Sequence, residues 1–303
     1  MSNGAILVTG GSTGLGLETA LHLAGEGYRV YATARDKVGR GAIIDEAEQR
    51  GVVVEVVEMD VADPKSVQAG VQVVATAAAG NGGIHGLINN AGIGLRGCFE
   101  DLGDDEIRRV YEVNVFGTMA VTRAVLPHMR AAGRGRVVTV TSVGGRVSTF
   151  GLSAYCSTKF ALEGFGEALA LELAPLGLHS ILIEPGIIMT SRWTINKGTA
   201  EHAFDASSPY APMFRRHEAL ADSIAQKSRT RPIDVARTIQ RALEARKPRM
   251  RYVVGRPASA VVALRRILPD RLFERLYFGA LLRRVTRPGE AQPTPLASPS
   301  GGS

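Results

Sequence analysis

The stretch Ala5-Ile6-Leu7-Val8-Thr9-Gly10-Gly11-Ser12-Thr13-Gly14-Leu15-Gly16 decides how the chain is read. Its first five residues are apolar or β-branched and read as a short strand. From residue 15 to residue 24 the apolar side chains recur at spacings of three and four, which reads as a helix. A strand that runs through a glycine-rich turn straight into a helix opens an alternating strand–helix chain. The alternation continues: strands are expected at residues 29–34, 52–57, 85–89, 136–141 and 179–184, and helices at 37–50, 64–79, 104–132 and 153–174. Asp63 and Pro64 supply an N-cap and a first-turn proline for the helix at 64–79. The strands are continuously apolar rather than alternating, so both of their faces should be covered. The expected class is therefore α/β with a doubly wound parallel sheet.

Composition agrees and removes several classes. With 303 residues, 45% hydrophobic and 21% charged, the chain is too apolar for a disordered protein. Two cysteines, Cys98 and Cys156, are too few for a disulfide scaffold, and neither they nor the six histidines show metal-ligand spacing, so no metal is expected. No apolar run approaches the roughly 18 to 20 residues that span a bilayer. Met1-Ser2-Asn3-Gly4 has no basic segment or cleavage site, so a cytoplasmic protein is expected. The net charge of +7 invites a nucleic-acid reading, but it is unevenly placed. Residues 215–287 hold 17 Arg and 2 Lys against 6 acids, a local +13, which leaves −6 for the remainder. The basic segment lacks aromatic interleaving and a helix-turn-helix pattern, so no nucleic-acid partner is expected.

The glycine turn carries the first chemistry. Glycines allow a tight turn and close approach of a pyrophosphate, and a helix N-terminus offers free N–H groups and partial positive charge. Between a first strand and a first helix, this points to a nucleotide, with Gly10, Ser12, Thr13, Gly14, Leu15 and Gly16 at the phosphates. In dinucleotide folds an acid ending the second strand takes the ribose 2′-hydroxyl. Here that strand ends Thr33-Ala34-Arg35-Asp36. Ala34 cannot repel a 2′-phosphate and Arg35 can pair with one, which favours NADP, with NAD as the alternative. Asp36 complicates this, because it could pair with Arg35 or reach the ribose itself.

Further motifs follow in order: Asp60 after the third strand, Asn89-Asn90-Ala91-Gly92 after the fourth, and Asn114 in the long helix. Then come Ser142 ending the fifth strand, Tyr155-x-x-x-Lys159, and Pro185-Gly186 with Thr190. Over residues 4–255 this series resembles the short-chain dehydrogenase/reductase family, whose fold is a Rossmann-like doubly wound parallel sheet. The resemblance implies that Asp60 and the backbone of Val61 hold the adenine. It places Asn90, Ala91 and Gly92 along the cofactor ribose, and Pro185, Gly186, Ile187 and Thr190 beside the nicotinamide. It also implies a homodimer or homotetramer formed through the helices at 104–132 and 153–174.

The reaction chemistry rests on residue types as well. Tyr155 and Lys159 are four apart on a helix and share a face. A free tyrosine titrates near pH 10, and a nearby ammonium favours its phenolate. Tyr155 is thus expected to have a lowered pKa and to act as general acid in carbonyl reduction and general base in alcohol oxidation. Lys159 also bonds the nicotinamide ribose, and Ser142 orients the substrate oxygen. Asn114 positions a water that relays protons to Lys159. Cys156 points away from Tyr155's face and is read as a small buried residue.

The expected organisation is a single catalytic domain, residues 1–255, with a C-terminal helical extension at 256–287 packed on it and a disordered tail at 288–303. Residues 189–231 are polar and poorly periodic and read as an insertion after the sixth strand. Residues 247–255, Lys-Pro-Arg-Met-Arg-Tyr-Val-Val-Gly, read as the last strand. The extension pairs apolar residues with arginines as a basic amphipathic helix pair broken near Pro269. It suits a cover over the substrate pocket or a subunit contact, and also a peripheral contact with an anionic membrane. The Arg249-Met250-Arg251-Tyr252 strand with its following helix resembles the branch acting on retinol and hydroxysteroids. Trp193, Phe204, Tyr210, Met213 and Phe214 suit a lipophilic pocket. The expected activity is NADP(H)-dependent interconversion of a lipophilic alcohol and its carbonyl. The rivals are a 3-oxoacyl-thioester reductase and a non-catalytic, cofactor-binding redox sensor. Intact Ser142, Tyr155 and Lys159 argue against the sensor.

Overall fold

The computed structural model describes residues 4–188 and 198–286. Seven strands form one sheet: β1 (Ala5–Val8), β2 (Arg29–Ala34), β3 (Val54–Glu58), β4 (Ile84–Asn89), β5 (Arg136–Val140), β6 (His179–Pro185) and β7 (Arg251–Val254). Their order is β3-β2-β1-β4-β5-β6-β7, and every pairing is parallel. Helices α1 (Gly14–Gly25), α2 (Lys37–Gln49), α3 (Pro64–Ala78), α4 (Asp104–Tyr111), α5 (Thr118–Ala131) and α6 (Ser153–Leu173) fall between the first six strands. Helices α7 (Ala211–Gln226) and α8 (Pro232–Glu244) precede β7. The doubly wound, Rossmann-like α/β class expected from the sequence is the class observed.

Two apolar layers sandwich the sheet, as continuously apolar strands require. On one side Val71 and Val74 of α3, Val121 and Val125 of α5 and Leu169 of α6 meet Leu7, Leu87 and Val137. On the other, Ala20 and Leu23 of α1 and Val235, Ile239 and Leu243 of α8 meet Ile6, Ile88, Val138 and Ile181. The strand order reverses beside β1, which lies between β2 and β4. Ligands bind at the carboxyl ends of the strands at such a switch point, and the glycine turn leaves β1 there.

Several boundaries differ from expectation for physical reasons. The third strand starts at Val54 rather than residue 52, because pairing with β2 begins there and Val53 stands out in solvent. The last strand is only Arg251–Val254, matching its pairing with Leu182–Pro185. The single helix expected at 104–132 is interrupted by a π-helical turn, Glu112–Gly117. A wholly unexpected helix, α7, lies inside the stretch read as an unperiodic insertion.

Beyond β7 come α9 (Arg256–Ile267), α10 (Asp270–Phe273), a π turn (Glu274–Phe278) and α11 (Gly279–Thr286). Pro269 caps α10, which breaks the helix where proline was expected to break it. Helix α11 lies against α7, with Arg216 Nε donating to the Val285 carbonyl at 2.5 Å. Among the described residues of this segment, only Ala258, Phe273 and Val285 are fully buried. Thr190, Trp193, Arg287 and the tail at 288–303 lie outside the described residues. Among the described residues no helix is long and apolar enough to cross a membrane.

Candidate active site

The glycine turn is built by contacts that exclude side chains. Gly10 and Gly14 take the left-handed conformation, at φ of +64° and +58°. A Cβ on Gly16 would lie 2.2 Å from the Gly10 carbonyl oxygen and 2.3 Å from Asn90 Nδ2. The loop after β4 is stitched to this turn by Thr9, whose hydroxyl accepts from the N–H groups of Asn90 and Ala91, both at 3.0 Å. Asn90 Nδ2 donates to the carbonyls of Thr9 and Gly10, each at 3.1 Å, and Thr33 Oγ1 accepts from Gly10 N at 3.1 Å. Thr9 and Thr33 were not singled out from the sequence as site residues. Their signal was there: each puts a hydroxyl within one residue of the end of a buried strand, where an apolar residue would serve the core as well.

Thr13 is the N-cap of α1 but its side chain does not cap it. The first-turn N–H groups at Gly14, Leu15 and Gly16 therefore keep no capping side chain, the condition under which a helix N-terminus takes a phosphate. Ser12 adjoins the start of α2, where a Cβ on Gly39 would lie 3.0 Å from Ser12 Cβ. Arg35 is exposed and forms no ion pair among the described residues. Asp36 neither pairs with Arg35 nor stays free for a ribose: its Oδ1 accepts from Gly39 N at 2.7 Å as the cap of α2. Asp60 is half-buried, with Oδ1 accepting from Ala62 N at 2.9 Å. Val61 is buried against Gly117, where a Cβ would meet it at 2.9 Å. These residues fit a dinucleotide: an uncapped helix start, a glycine-rich turn and an exposed arginine lie at one end of the sheet.

At the carboxyl ends of β5 and β6 stand the residues read as catalytic. The Ser142 hydroxyl accepts from Gly144 N at 3.0 Å and faces the Tyr155 phenol, whose pKa it pulls down. Lys159 is buried with Nζ 5.7 Å from the centroid of the Tyr155 ring, donating to the Val140 carbonyl at 3.1 Å. Asn114, wholly buried in the π turn, accepts from Ile93 N at 2.8 Å and donates to Ile93 O at 3.0 Å and Thr158 Oγ1 at 3.2 Å. Thr158 in turn donates to the Tyr155 carbonyl at 2.7 Å. The structure thus brings Ser142, Tyr155 and Lys159 together and links Asn114 to them through Thr158. A Cβ on Gly92 would sit 3.2 Å from Asn114 Oδ1, which explains glycine there.

One expectation is corrected. Tyr155 is not lowered by its lysine: burial pushes its hydroxyl up to about 12, with the Ser142 hydrogen bond and the charge of Arg96 pulling the other way. Burial also pulls Lys159 down to about 8, opposed by Glu163. Desolvation of both groups outweighs their attraction. Tyr155 therefore stands protonated at neutral pH, ready to give a proton.

Arg96 is a residue the sequence reading missed. It is buried and ion-paired to Glu218 of α7 at 2.7 Å, and its field reaches Tyr155. Its backbone pairs with Gly198 and Ala200. Pro185 is buried at the end of β6. Gly186 meets the start of α9, where a Cβ would lie 2.8 Å from Ala258 Cβ, and Ile187 is exposed beside it. Phe214, Leu95, Cys98 and Ala154, the residue before Tyr155, form a satellite apolar cluster joined by Phe150 and Tyr210. Cys156 is buried as expected.

A sequence profile of the short chain dehydrogenase family matches residues 4–200. Human 17-beta-hydroxysteroid dehydrogenase type 1 is 36% identical over 83% of this chain and 77% of its own length. A short-chain dehydrogenase from Streptomyces avermitilis superposes with a TM-score of 0.75 at 31% identity, covering 95% of this chain and 99% of that one. An actinorhodin polyketide ketoreductase solved with NADPH is 28% identical with a TM-score of 0.69, covering 83% of this chain and 95% of that one.

Proposed function

Because the chain belongs to the short-chain dehydrogenase family, and is thus an oxidoreductase acting on CH–OH groups with a nicotinamide cofactor, we propose that it uses NADP(H) to interconvert a lipophilic alcohol and its carbonyl. The observation that carries this reading is the Ser142–Tyr155–Lys159 cluster at the carboxyl ends of β5 and β6, on the edge where the uncapped start of α1 opens. When bound, the cofactor supplies or takes up the hydride. In reduction, Tyr155, protonated at neutral pH, gives the proton, and Ser142 steadies the substrate oxygen. Lys159 binds the ribose and supplies positive charge beside Tyr155. Asn114 holds the loop after β4 at Ile93 and begins the path by which a proton is replaced. Asp60 and Val61 would hold the adenine, Asn90, Ala91 and Gly92 the ribose, and Pro185, Gly186 and Ile187 the nicotinamide. Oxidation needs the Tyr155 phenolate and is therefore favoured at high pH.

Three observations support the finer points. Arg35 is free to meet a 2′-phosphate while Asp36 is engaged as a cap. The apolar cluster beside Tyr155 suits a lipophilic substrate, in keeping with the steroid-named relative. Phe116 on the π turn, together with Phe160 and Leu171 on α6, is exposed on the surfaces expected to pair subunits. The test is oxidation of NADPH followed by absorbance against steroid, retinoid and aliphatic carbonyls. Arg35→Ala should raise the KM for NADPH by about tenfold and leave NADH nearly unchanged, the size of one charge-assisted contact. Equal losses for both cofactors would remove the phosphate role.

The C-terminal helices bear on location. Leu264, Ile267, Leu272, Leu276 and Leu282 are exposed among Arg256, Arg265, Arg266, Arg271, Arg275, Arg283 and Arg284. This pairing supports a cytoplasmic enzyme that rests on an anionic membrane surface, from which a lipophilic substrate can be drawn. The protein should float with vesicles rich in anionic phospholipid at low salt and be released at high salt. No flotation at low salt would remove this contact.

A further inference from the structure

Beneath the catalytic residues lies a buried charge cluster that the reading above leaves unused. Glu163 sits one turn after Lys159 on α6 and is 5% exposed. Its Oε1 accepts from the Thr141 hydroxyl at 2.7 Å and its Oε2 from Arg251 Nε at 2.9 Å. Thr141 immediately precedes Ser142. Arg251 is the first residue of β7, and it also reaches Glu167 at 2.5 Å and Glu184 at 3.5 Å. Glu184, on β6, is wholly buried and accepts from Arg146 at 2.9 Å. The turn between Ser142 and Arg146 closes directly on this group, since a Cβ at Gly145 would lie 2.8 Å from the Lys159 carbonyl and 3.1 Å from Glu163 Cγ.

Two carboxylates and two guanidiniums do not gather in a core for stability alone, because desolvating ions costs about as much as their attraction returns. Their placement is the informative fact. We infer that Glu163, clamped by Thr141 and Arg251, is a positioning residue: it ties the strand bearing Ser142 to the helix bearing Tyr155 and Lys159, and sets the charge beneath Lys159. The inference rests on the proposed role of Lys159. Arg251 balances Glu163, so β7 contributes to the electrostatics of a site that it does not touch. Tyr155 faces Lys159, and Glu184 on β6 and Arg251 on β7 face Glu163; Arg251 also meets Glu167 on α6, and Glu184 meets Arg146 in the turn after Ser142. Burial alone draws the proton from Lys159, and Glu163 is the group that opposes this.

Opposite charges give opposite signs, which a mere strut does not. Activity in the carbonyl-reducing direction should fall on the alkaline side as Lys159 loses its proton. Glu163→Gln keeps the size and an acceptor for Thr141 but removes the charge, and should move that alkaline limb to lower pH by about one unit. Arg251→Met leaves Glu163 less compensated and should move the limb to higher pH, while Arg251→Lys should keep it near its original place. Glu163→Asp should recover much of the limb lost in Glu163→Gln, with NADPH affinity held within about threefold in each folded variant. If Arg251→Met fails to fold, the limb of Glu163→Gln decides alone. An unmoved limb in folded Glu163→Gln, or both charge-removing variants shifting the same way, would overturn the inference. Full activity in Lys159→Met would instead overturn the role of Lys159 itself, so the two failures are distinguishable.

Discussion

Tyr155→Phe loses about a thousandfold or more in turnover while NADPH affinity stays within about twofold. The substitution removes one oxygen and nothing else: the ring keeps its place over Lys159, 5.7 Å from Nζ, and the helix is undisturbed. The Ser142 oxygen already accepts from Gly144 N, and an aliphatic hydroxyl is a weaker acid than the Tyr155 phenol. Binding and hydride placement survive, which leaves residual turnover rather than none. Single-turnover oxidation of NADPH with a fluorescence titration of the same variant separates the two effects. Retained turnover would assign the acid elsewhere.

The second large effect is Gly16→Ala. In an ordinary helix this change gains about 1 kcal/mol, because alanine loses less backbone freedom. Here the sign reverses. The added methyl would lie 2.2 Å from the Gly10 carbonyl and 2.3 Å from Asn90 Nδ2, and those two atoms are themselves hydrogen-bonded at 3.1 Å. Neither is the loose end of a flexible side chain, so the turn must open. The expected net loss is about 1–3 kcal/mol of stability, in the range of overpacked sites. NADPH affinity should drop by more than about tenfold, because the displaced turn carries the N–H groups of α1. Thermal unfolding with and without NADPH measures both, and a stabilised variant with unchanged affinity would refute the account.

The order of strands and helices was legible because strands covered on both faces are continuously apolar and helices are not. The proximity of Ser142, Tyr155 and Lys159 was legible from the four-residue spacing of Tyr155 and Lys159 and from Ser142 at a strand end. Helix α7 escaped for a definite reason. Its inward positions Ala211, Phe214, Glu218, Ala221 and Ala225 have helical spacing, but His217 and Glu218 are buried polar residues. Glu218 is there to meet Arg96, so the apolar stripe is broken where the tertiary structure places an ion pair. The π turn at Asn114 was equally hidden, since no side-chain spacing distinguishes it from continuous helix. The raised pKa of Tyr155 was misjudged because spacing reveals the lysine and not the burial that overrides it. Arg251 carried no signal of its own: its partners Glu163, Glu167 and Glu184 lie 67 to 88 positions away and meet it only through the parallel sheet.

The place of β7 at the edge of the sheet also sets a sequence of events during synthesis. Of the seven strands it is the last to leave the ribosome, long after Ser142, Tyr155 and Lys159 have emerged. A nascent chain that has already packed β5, α6 and β6 encloses Glu163 and Glu184 without Arg251, a state that buried carboxylates make costly. Docking of a four-residue strand then supplies the missing cation. On the proposed role of Glu163, the charge beneath Lys159 is thus balanced only once the last strand of the sheet has been made.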